Sequence, residues 1–216
     1  MNDRFERQRG LIPADQMSLV TATVIGVGAI GRAIGLQLAA IGVRRIQLID
    51  FDRVEAINIT TQGFSASDIG RPKVDALSAA ISAVDPSVLV EAIEDRFRPK
   101  QSIGDAVFCA VDSISSRAAI WRSAEHRCRF WVDSRMLGES IRILTASDEE
   151  SRNHYKSTLF AQSEAQSGNC TTRAVIYAAS FAAAVAVHQL TRWIRALPLD
   201  RDSSINLLAS EWSVVA

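Results

Sequence analysis

A glycine-rich turn near the start of the chain constrains the possible folds more than any other sequence feature. The stretch TVIGVGAIGRAIG, which begins at Thr23, is a short apolar run followed by three closely spaced glycines and a helical pattern. Such an apolar run is typical of a strand that is buried on both faces of a parallel sheet. A glycine-rich turn between this strand and a helix lets backbone N–H groups approach a phosphate. The sequence therefore predicts a phosphate-binding strand–turn–helix unit.

Apolar runs of strand length alternate with helical patterns along most of the chain. Helices are predicted over 31–41, 71–86, 115–128 and 170–197. Strands are predicted over 20–27, 44–52, 87–95, 105–113, 130–136, 139–146 and 204–215. This alternation predicts an α/β fold with a doubly wound, mostly parallel sheet and antiparallel C-terminal strands, whose ligand lies beyond the carboxyl ends of the parallel strands.

The length of 216 residues suits a single domain over 1–216, because single cores grow to roughly 250 residues before they split. A polar segment over 147–169 lacks a clear helical or strand period. Its two interpretations are a surface excursion and a crossover loop that guides a flexible substrate tail, ordering when the substrate binds.

Composition excludes several classes of protein. The chain has 24 Lys and Arg residues and 24 Asp and Glu residues, so no net charge attracts nucleic acid or an anionic membrane. The N-terminus is charged, unlike a secretory signal, and the most apolar stretch is too rich in small residues for a membrane span. The three cysteines form no CxxC pair, which argues against structural zinc and a disulfide framework. We expect a cytoplasmic protein that binds neither nucleic acid nor membrane.

The turn itself leaves the identity of the phosphate ligand open. Residues 26–31 read Gly-Val-Gly-Ala-Ile-Gly, and Asp50 closes the next strand about twenty residues later, which meets the dinucleotide fingerprint. By this pattern alone, NAD or FAD is a strong candidate. A turn that only packs a helix on a strand is the alternative without a ligand.

Residues later in the chain favour a nucleoside triphosphate. A hydride-transfer enzyme needs an acid or base near the nicotinamide, and none of the three histidines belongs to a recognisable catalytic motif: His126, His154 and His188. Lys73 and Asp112 are instead expected near the ends of two predicted strands. A lysine neutralises phosphate oxygens, and a carboxylate holds the Mg²⁺ that bridges them. These two residues favour ATP over NAD.

An ordered set of motifs resembles one known family. The stretches RFERQ, GVGAIG, LIDFDRVEAIN, DIGRPK, VDSISSR and DSRMLGESIRI follow one another over most of the chain. Together they resemble the ThiF/MoeB/HesA adenylyltransferases, which form the adenylation core of ubiquitin-activating enzymes. The resemblance implies a Rossmann-like fold that binds ATP. It also implies an enzyme that attaches AMP to the C-terminal carboxylate of a ubiquitin-like protein or peptide.

The resemblance implies a role for each matching residue. The backbone would approach the nucleotide, Asp50 would hold the ribose hydroxyls, and Asp112 would bind Mg²⁺. The residues implied at the turn are Gly26, Gly28, Ala29 and Gly31, and those implied at the phosphates are Asn58 and Lys73. Arg7 matches an arginine that reaches into the neighbouring subunit's site, which implies a homodimer. Arg117 completes the motif that begins at Asp112 and is expected to be mainly structural.

The chain also departs from the family pattern. Residues 58–62 read Asn-Ile-Thr-Thr-Gln where the family usually has Asn-Leu-Asn-Arg-Gln, so Thr61 replaces an arginine that contacts phosphate. Arg32 directly follows the glycine turn, where a small residue is common, and we hypothesise that it supplies the missing cation. Ser113 replaces an asparagine, and the zinc-binding cysteine pairs of many members are missing. These departures leave open an inactive nucleotide-binding scaffold.

The three cysteines differ in their surroundings. Cys109 lies inside a predicted buried strand and reads as a core residue, and Cys128 lies at a boundary between a helix and a strand. Cys170 opens the predicted Ala-rich helix as CTTR, where unpaired N–H groups would lower the pKa of its thiol. The resemblance implies that Cys170 takes the acyl group from AMP as a thioester; a plain cysteine at a helix start is the alternative.

The resemblance to this family implies a specific reaction. The chain would adenylate the C-terminal glycine of a ubiquitin-like protein and transfer it to Cys170, from which a conjugating enzyme would receive it. The motifs also resemble compact bacterial enzymes from ubiquitin-like modification operons. The alternatives are an adenylyltransferase for a sulfur-carrier protein or a peptide, without a thioester step, and an inactive scaffold.

Overall fold

The computed structural model of the protein describes residues 4–160 and 174–215. These residues form eight strands and seven α-helices. The strands are β1 Thr21–Ile25, β2 Arg45–Ile49, β3 Leu89–Ile93, β4 Ala106–Cys109, β5 Phe130–Leu137, β6 Ser140–Ala146, β7 Asp202–Asn206 and β8 Glu211–Val215. The α-helices are α1 Ala14–Leu19, α2 Ala29–Ala40, α3 Ile57–Gln62, α4 Lys73–Val84, α5 Ile114–Ala124, α6 Glu149–Ser157 and α7 Ile176–Ile194.

All eight strands belong to one sheet. Their order is β3-β2-β1-β4-β5-β6-β7-β8. The five strands from β3 to β5 are parallel, and β6, β7 and β8 pair antiparallel. The chain order reverses beside β1, because β2 lies on one side of it and β4 on the other. This switch point is where a doubly wound sheet binds its ligand. The predicted fold class is confirmed.

Helices cover both faces of the sheet. One apolar core joins Val24 of β1 to buried residues of α2, α4 and α7, including Ile34 and Leu77. The next strand residue, Ile25, belongs to a second core with Trp121 of α5 and Tyr155 of α6. This division follows from the strand geometry, since successive side chains point to opposite faces. The two packed layers of helices hold the sheet in place, and with it the polar residues that follow the strand ends.

The Ala-rich helix differs from its predicted range at both ends. The helix α7 begins at Ile176, after an extended Val175, and its C-cap is Arg195, whereas the sequence predicted 170–197. It ends before Pro198 because Ala196 takes a left-handed conformation with φ of +52°. The N–H of Leu197 then bonds to the carbonyl of Arg192 at 2.9 Å, and the N–H of Ala196 to that of Trp193 at 3.0 Å. This pair of bonds is a Schellman motif.

Two further segments differ from what the sequence predicted. The polar segment 147–169 begins with α6, which Asp148 caps by accepting a hydrogen bond from the Ser151 N–H at 2.8 Å; residues 161–169, which belong to the predicted crossover loop, lie outside the described residues. The apolar period of α6 is hidden because Ser151 and Tyr155 are its only buried residues. The single predicted strand over 204–215 is a hairpin of β7 and β8, with Ser210 in the connecting turn at φ of +55°. Within 4–160 and 174–215, no helix combines the length and apolarity needed to span a membrane.

The left-handed residue at the end of α7 leads to a prediction about stability. Ala196→Gly should raise the free energy of unfolding by about 0.5–1 kcal/mol, because glycine adopts positive φ without the steric cost that alanine bears. Ala184, an exposed residue inside α7, provides the matched control. Ala184→Gly should lower the free energy of unfolding by about 1 kcal/mol. Urea denaturation of both variants measures the difference, and a loss of stability in both would contradict the prediction.

Candidate active site

Hydrogen bonds hold three strand ends together at the switch point. The N–H of Gly26, directly after β1, bonds to the carbonyl of Ile49 at the end of β2 at 2.9 Å. The N–H of Ala110, directly after β4, bonds to the carbonyl of Ile25 at 2.8 Å. The segments that follow β1, β2 and β4 therefore start from one edge of the sheet. They carry the glycine turn, Asp50 and Asp112.

The three glycines of the turn have different physical roles. Gly26 has φ of +89°, and a Cβ there would lie 2.7 Å from the carbonyl oxygen of Ala110. A Cβ on Gly31 would overlap the carbonyl oxygen of Gly26. Gly28 has open space around it: apart from its immediate neighbours in the chain, no atom of the described residues lies within 4 Å of the position of a Cβ there. Gly26 and Gly31 are thus required by the turn itself, whereas Gly28 leaves room for a ligand.

Gly28 is also the N-cap of α2, and Ala29 is the first residue of that helix. The N–H groups of the first helical turn have no partner within the helix. Open space beside such donors favours an anion, and phosphate groups commonly bind there. The predicted turn residues Gly26, Gly28, Ala29 and Gly31 therefore form one continuous turn whose N–H groups and open space suit an anion.

Asp50 is buried and fixed beside this turn. Its Oδ2 accepts a hydrogen bond from the Val27 N–H at 2.5 Å, and its Oδ1 accepts one from the Asp52 N–H at 2.8 Å. Burial raises the pKa of Asp50, while these two bonds and the charge of Lys73 oppose that rise. The carboxylate thereby joins the end of β2 to the glycine turn, at the place where the fingerprint puts a ribose-binding acid.

Lys73 lies close to Asp50 because Asp52 holds it. It is the first residue of α4, its side chain is only 7% exposed, and its Nζ lies 2.9 Å from Oδ2 of Asp52. The Lys73 N–H also bonds to the carbonyl of Asp52 at 3.0 Å. An ammonium group with one carboxylate partner keeps further donors for an anion. Asp52 is a site residue that the sequence analysis did not assign.

Asn58 is buried in α3, next to the segment that follows β2. Its Oδ1 accepts a hydrogen bond from the Glu55 N–H at 2.8 Å, which fixes the orientation of the amide. Its Nδ2 group, a double donor, makes no hydrogen bond with the residues that the structure describes. Asn58 can therefore donate to a ligand without losing the bond that positions it.

Asp112 is exposed on the turn between β4 and α5. Ser113 caps α5 by accepting a hydrogen bond from the Ser116 N–H at 3.1 Å. The buried guanidinium of Arg117 donates to the carbonyl of Val111 and forms an ion pair with Asp133. Arg117 thus has the structural role expected for it, since it holds the residue that precedes Asp112.

Behind this turn lies a network of buried charges that the sequence analysis did not identify. Oδ2 of Asp133 accepts hydrogen bonds from Nε of Arg135 at 2.8 Å and from the hydroxyl of Tyr155 at 3.1 Å. Nη1 of Arg135 donates to the carbonyl of Thr158, the C-cap of α6, at 3.1 Å. The sequence VDSRM could have indicated this network, because Asp133 and Arg135 are two residues apart in one strand and therefore share one face.

Arg7 is not brought to this site within its own chain. It lies in a short 3₁₀ turn, Glu6–Gln8, at the C-terminal end of α2, where Nε2 of Gln8 donates to the carbonyl of Ala40 at 3.2 Å. The glycine turn is at the opposite end of that helix, which is 12 residues long and therefore spans about 18 Å. An Arg7 contact with a nucleotide would need a second copy of the chain.

Two of the three cysteines are poorly suited to chemistry. Cys109 and Cys128 are both buried. Burial raises the pKa of each thiol, that of Cys128 to about 11, so little reactive thiolate forms near neutral pH. Cys170 lies outside the described residues. Because α7 begins at Ile176, the prediction that Cys170 opens this helix was wrong.

Solved structures share this fold. E. coli MccB, solved with ATP, superposes with a TM-score of 0.73 at 17% identity, covering 99% of this chain and 71% of that chain. The structure of PaaA gives a TM-score of 0.76 at 18% identity, covering 97% of this chain and 67% of that chain. A model of the ThiF family matches residues 7–210. The chain therefore belongs to the ThiF family.

Curated relatives carry two kinds of name. Ubiquitin-like modifier-activating enzyme 5 of Bombyx mori is 28% identical over an alignment of 136 positions, which covers 56% of this chain and 35% of that protein. The Drosophila melanogaster enzyme of the same name is 30% identical, covering 51% of this chain and 32% of that protein. The sulfur carrier protein adenylyltransferase of Thermus thermophilus is 28% identical, covering 53% and 46%. The matches span about a third to a half of these relatives' own length.

The unequal glycines of the turn lead to a second prediction. Gly31→Ala should lower the free energy of unfolding by about 3 kcal/mol or more, because the new Cβ overlaps the backbone of Gly26. Gly28→Ala, the same change three residues earlier, should alter it by less than about 1 kcal/mol, since its Cβ meets open space. Thermal and urea denaturation of the two variants provide the measurement. Equal losses of stability would show that the turn is not built as described.

Proposed function

We propose that the chain is an ATP-dependent adenylyltransferase that activates the C-terminal carboxylate of a ubiquitin-like protein or a peptide ending in glycine. The observation that carries this proposal is the set of groups at one sheet edge. A glycine turn, a fixed carboxylate and an exposed carboxylate follow neighbouring strand ends, and a buried lysine at the start of α4 is held beside them by Asp52. A lysine and a second carboxylate suit a triphosphate with its metal better than a nicotinamide.

The described residues fit ATP and Mg²⁺. The space beside Gly28 and the free N–H groups of α2 would hold phosphate oxygens, and Asp50 would accept hydrogen bonds from the ribose hydroxyls. Lys73 and Asn58 would contact the phosphates. Within the described ranges no cluster of three metal-binding side chains occurs. A single carboxylate such as Asp112 nevertheless suits Mg²⁺, which usually combines one or two carboxylates with phosphate oxygens and water.

The proposed chemistry follows from charge. A substrate carboxylate that attacks the α-phosphate is an anion approaching an anion, so the barrier is largely electrostatic. Cations held where negative charge develops lower this barrier, and the rigid contacts of Lys73 and Asp50 avoid reorganisation during the reaction. Bound Mg²⁺ would supply further charge neutralisation. Pyrophosphate leaves, and the product is an acyl-adenylate with an activated carbonyl.

A second step would move the acyl group from AMP to the thiol of Cys170. This proposal is supported by the family resemblance of the CTTR stretch and by the burial of the other two thiols. A conjugating enzyme would then receive the thioester. A peptide or sulfur-carrier adenylyltransferase without this step is the second candidate. It is favoured by the T. thermophilus relative, whose identity to this chain equals that of the B. mori enzyme.

A homodimer is part of the same proposal. Arg7 is exposed and lies at the end of α2 that is remote from the glycine turn. If Arg7 assists the reaction, it does so in the site of a second copy. The cation would then enter the active site only when two chains associate.

A third prediction tests adenylation. The protein should exchange pyrophosphate into ATP only when a substrate with a free C-terminal glycine is added. Asp112→Asn should reduce the exchange rate by roughly 100-fold, because it removes the charge that would hold Mg²⁺. The exposed Asp15 of α1 gives a matched control, and Asp15→Asn should exchange as the wild type does. Tight binding of NADH without binding of ATP would reject the proposed function.

A fourth prediction tests the thioester. With ATP and a ubiquitin-like substrate, the wild type should form a covalent conjugate that a thiol reductant releases, and Cys170→Ser should form an ester that resists the reductant. Cys128→Ser is the control and should keep the thioester. Denaturing gels with and without reductant measure the conjugate. Normal pyrophosphate exchange with no conjugate in the wild type would favour the candidate without a thioester.

A further inference from the structure

We infer that Arg32 supplies the phosphate contact that Thr61 cannot make, so that the cation reaches the phosphates from α2 instead of α3. This inference rests on the proposed function and assigns one residue of that site. It concerns how this chain keeps a nucleotide site although the usual arginine is missing. Three features of the structure carry it.

The first feature is the position of Arg32 beside the glycine turn. It follows Gly31 directly, and its N–H bonds to the carbonyl of Gly28 at 2.9 Å. It is therefore within the first helical turns after the N–H groups that are free to bind phosphate. A cation on this side of α2 adds charge to a place that already favours an anion.

The second feature is that Arg32 forms no ion pair with the residues that the structure describes. Its guanidinium is half-buried and lies over the ring of Phe64, 5.1 Å from the ring centroid. Its Nε is fully buried and has no hydrogen-bond partner among the described residues. Burial lowers the pKa of Arg32, and the charge of Asp68 opposes this; within residues 4–160 and 174–215, however, Asp68 forms its ion pair with Arg71, at 2.9 Å, and not with Arg32. An unpaired, partly buried guanidinium is costly in a protein, and a phosphate satisfies it with charge-assisted hydrogen bonds.

The third feature places this guanidinium at the end of α3. The position of a Cβ on Gly63, the C-cap of α3, lies 3.1 Å from Nη1 of Arg32 and 3.2 Å from Cδ1 of Ile176. A larger residue at Gly63 would press on the guanidinium. Arg32 thus occupies the space beside Gly63 at the C-terminal end of α3, two residues beyond Thr61.

Thr61 itself has no charge to offer. Its Oγ1 donates to the carbonyl of Ile57, one turn earlier in α3, at 2.7 Å. This local bond satisfies the hydroxyl within its own helix. Thr61 therefore provides no cation for the phosphates, and Arg32 of the neighbouring helix α2 provides it instead.

The test is calorimetric binding of ATP and of adenosine to the purified full chain. Arg32→Ala should weaken ATP binding by roughly 10- to 100-fold, which is typical for the loss of a charged hydrogen bond. Adenosine, which lacks phosphates, should bind as it does to the wild type. Arg32→Lys should bind ATP with intermediate affinity, because an ammonium replaces the charge but not the planar pair of donors.

A double variant tests whether positions 32 and 61 can serve the same phosphate contact. Arg32→Ala combined with Thr61→Arg restores the cation on α3 and should recover at least part of the lost ATP affinity. Arg195, an exposed arginine at the far end of α7, is the control, and Arg195→Ala should leave ATP binding unchanged.

Three results would overturn the inference. Wild-type ATP affinity in Arg32→Ala would show that Arg32 does not contact the phosphates. An equal loss of ATP and adenosine binding would show a general packing role. Failure of Thr61→Arg to recover any affinity would show that the two positions do not serve one contact. If the wild type binds adenosine and ATP equally weakly, the proposed function itself fails, and the inference fails with it.

Discussion

The hydrogen bond between the Val27 N–H and the carboxylate of Asp50 is the contact on which the geometry of the site depends. It joins the turn after β1 to the end of β2, while the close approach of Gly26 to Ala110 joins the same turn to the end of β4. The glycine turn therefore cannot shift without moving two other strand ends. Rigid placement of this kind is what electrostatic catalysis requires.

The sequence predicted those parts of the molecule that local patterns determine. The glycine turn, Asp50 and the parallel strands were predicted, because strand burial and close backbone approach leave direct traces in residue type. The helix α6 was missed because it packs through Tyr155 and a serine, so its apolar period is almost absent. The end of α7 was misplaced because Ala196 adopts a conformation that alanine rarely takes.

At the site too, features that follow from local sequence were predicted, and contacts between distant segments were not. Lys73 and Asp112 were placed near strand ends correctly, but Asp52, which holds Lys73, was not assigned because a carboxylate at a strand end has many possible uses. The pairing of Arg117 with Asp133 depends on two distant segments and has no signature in either one alone. Contacts between remote elements are the part that sequence patterns did not reveal.

One buried carboxylate serves two separate parts of the molecule. Asp133 holds Arg117, which supports the loop before Asp112, and it also holds Arg135 and Tyr155, which secure α6. Two guanidinium groups share this single negative charge, so neither can be left without it at low cost. Sequence change at any one of these positions is consequently constrained by the others. A substitution in α6 that disturbs Tyr155 would therefore also disturb Asp133, whose ion pair with Arg117 supports the loop that carries Asp112.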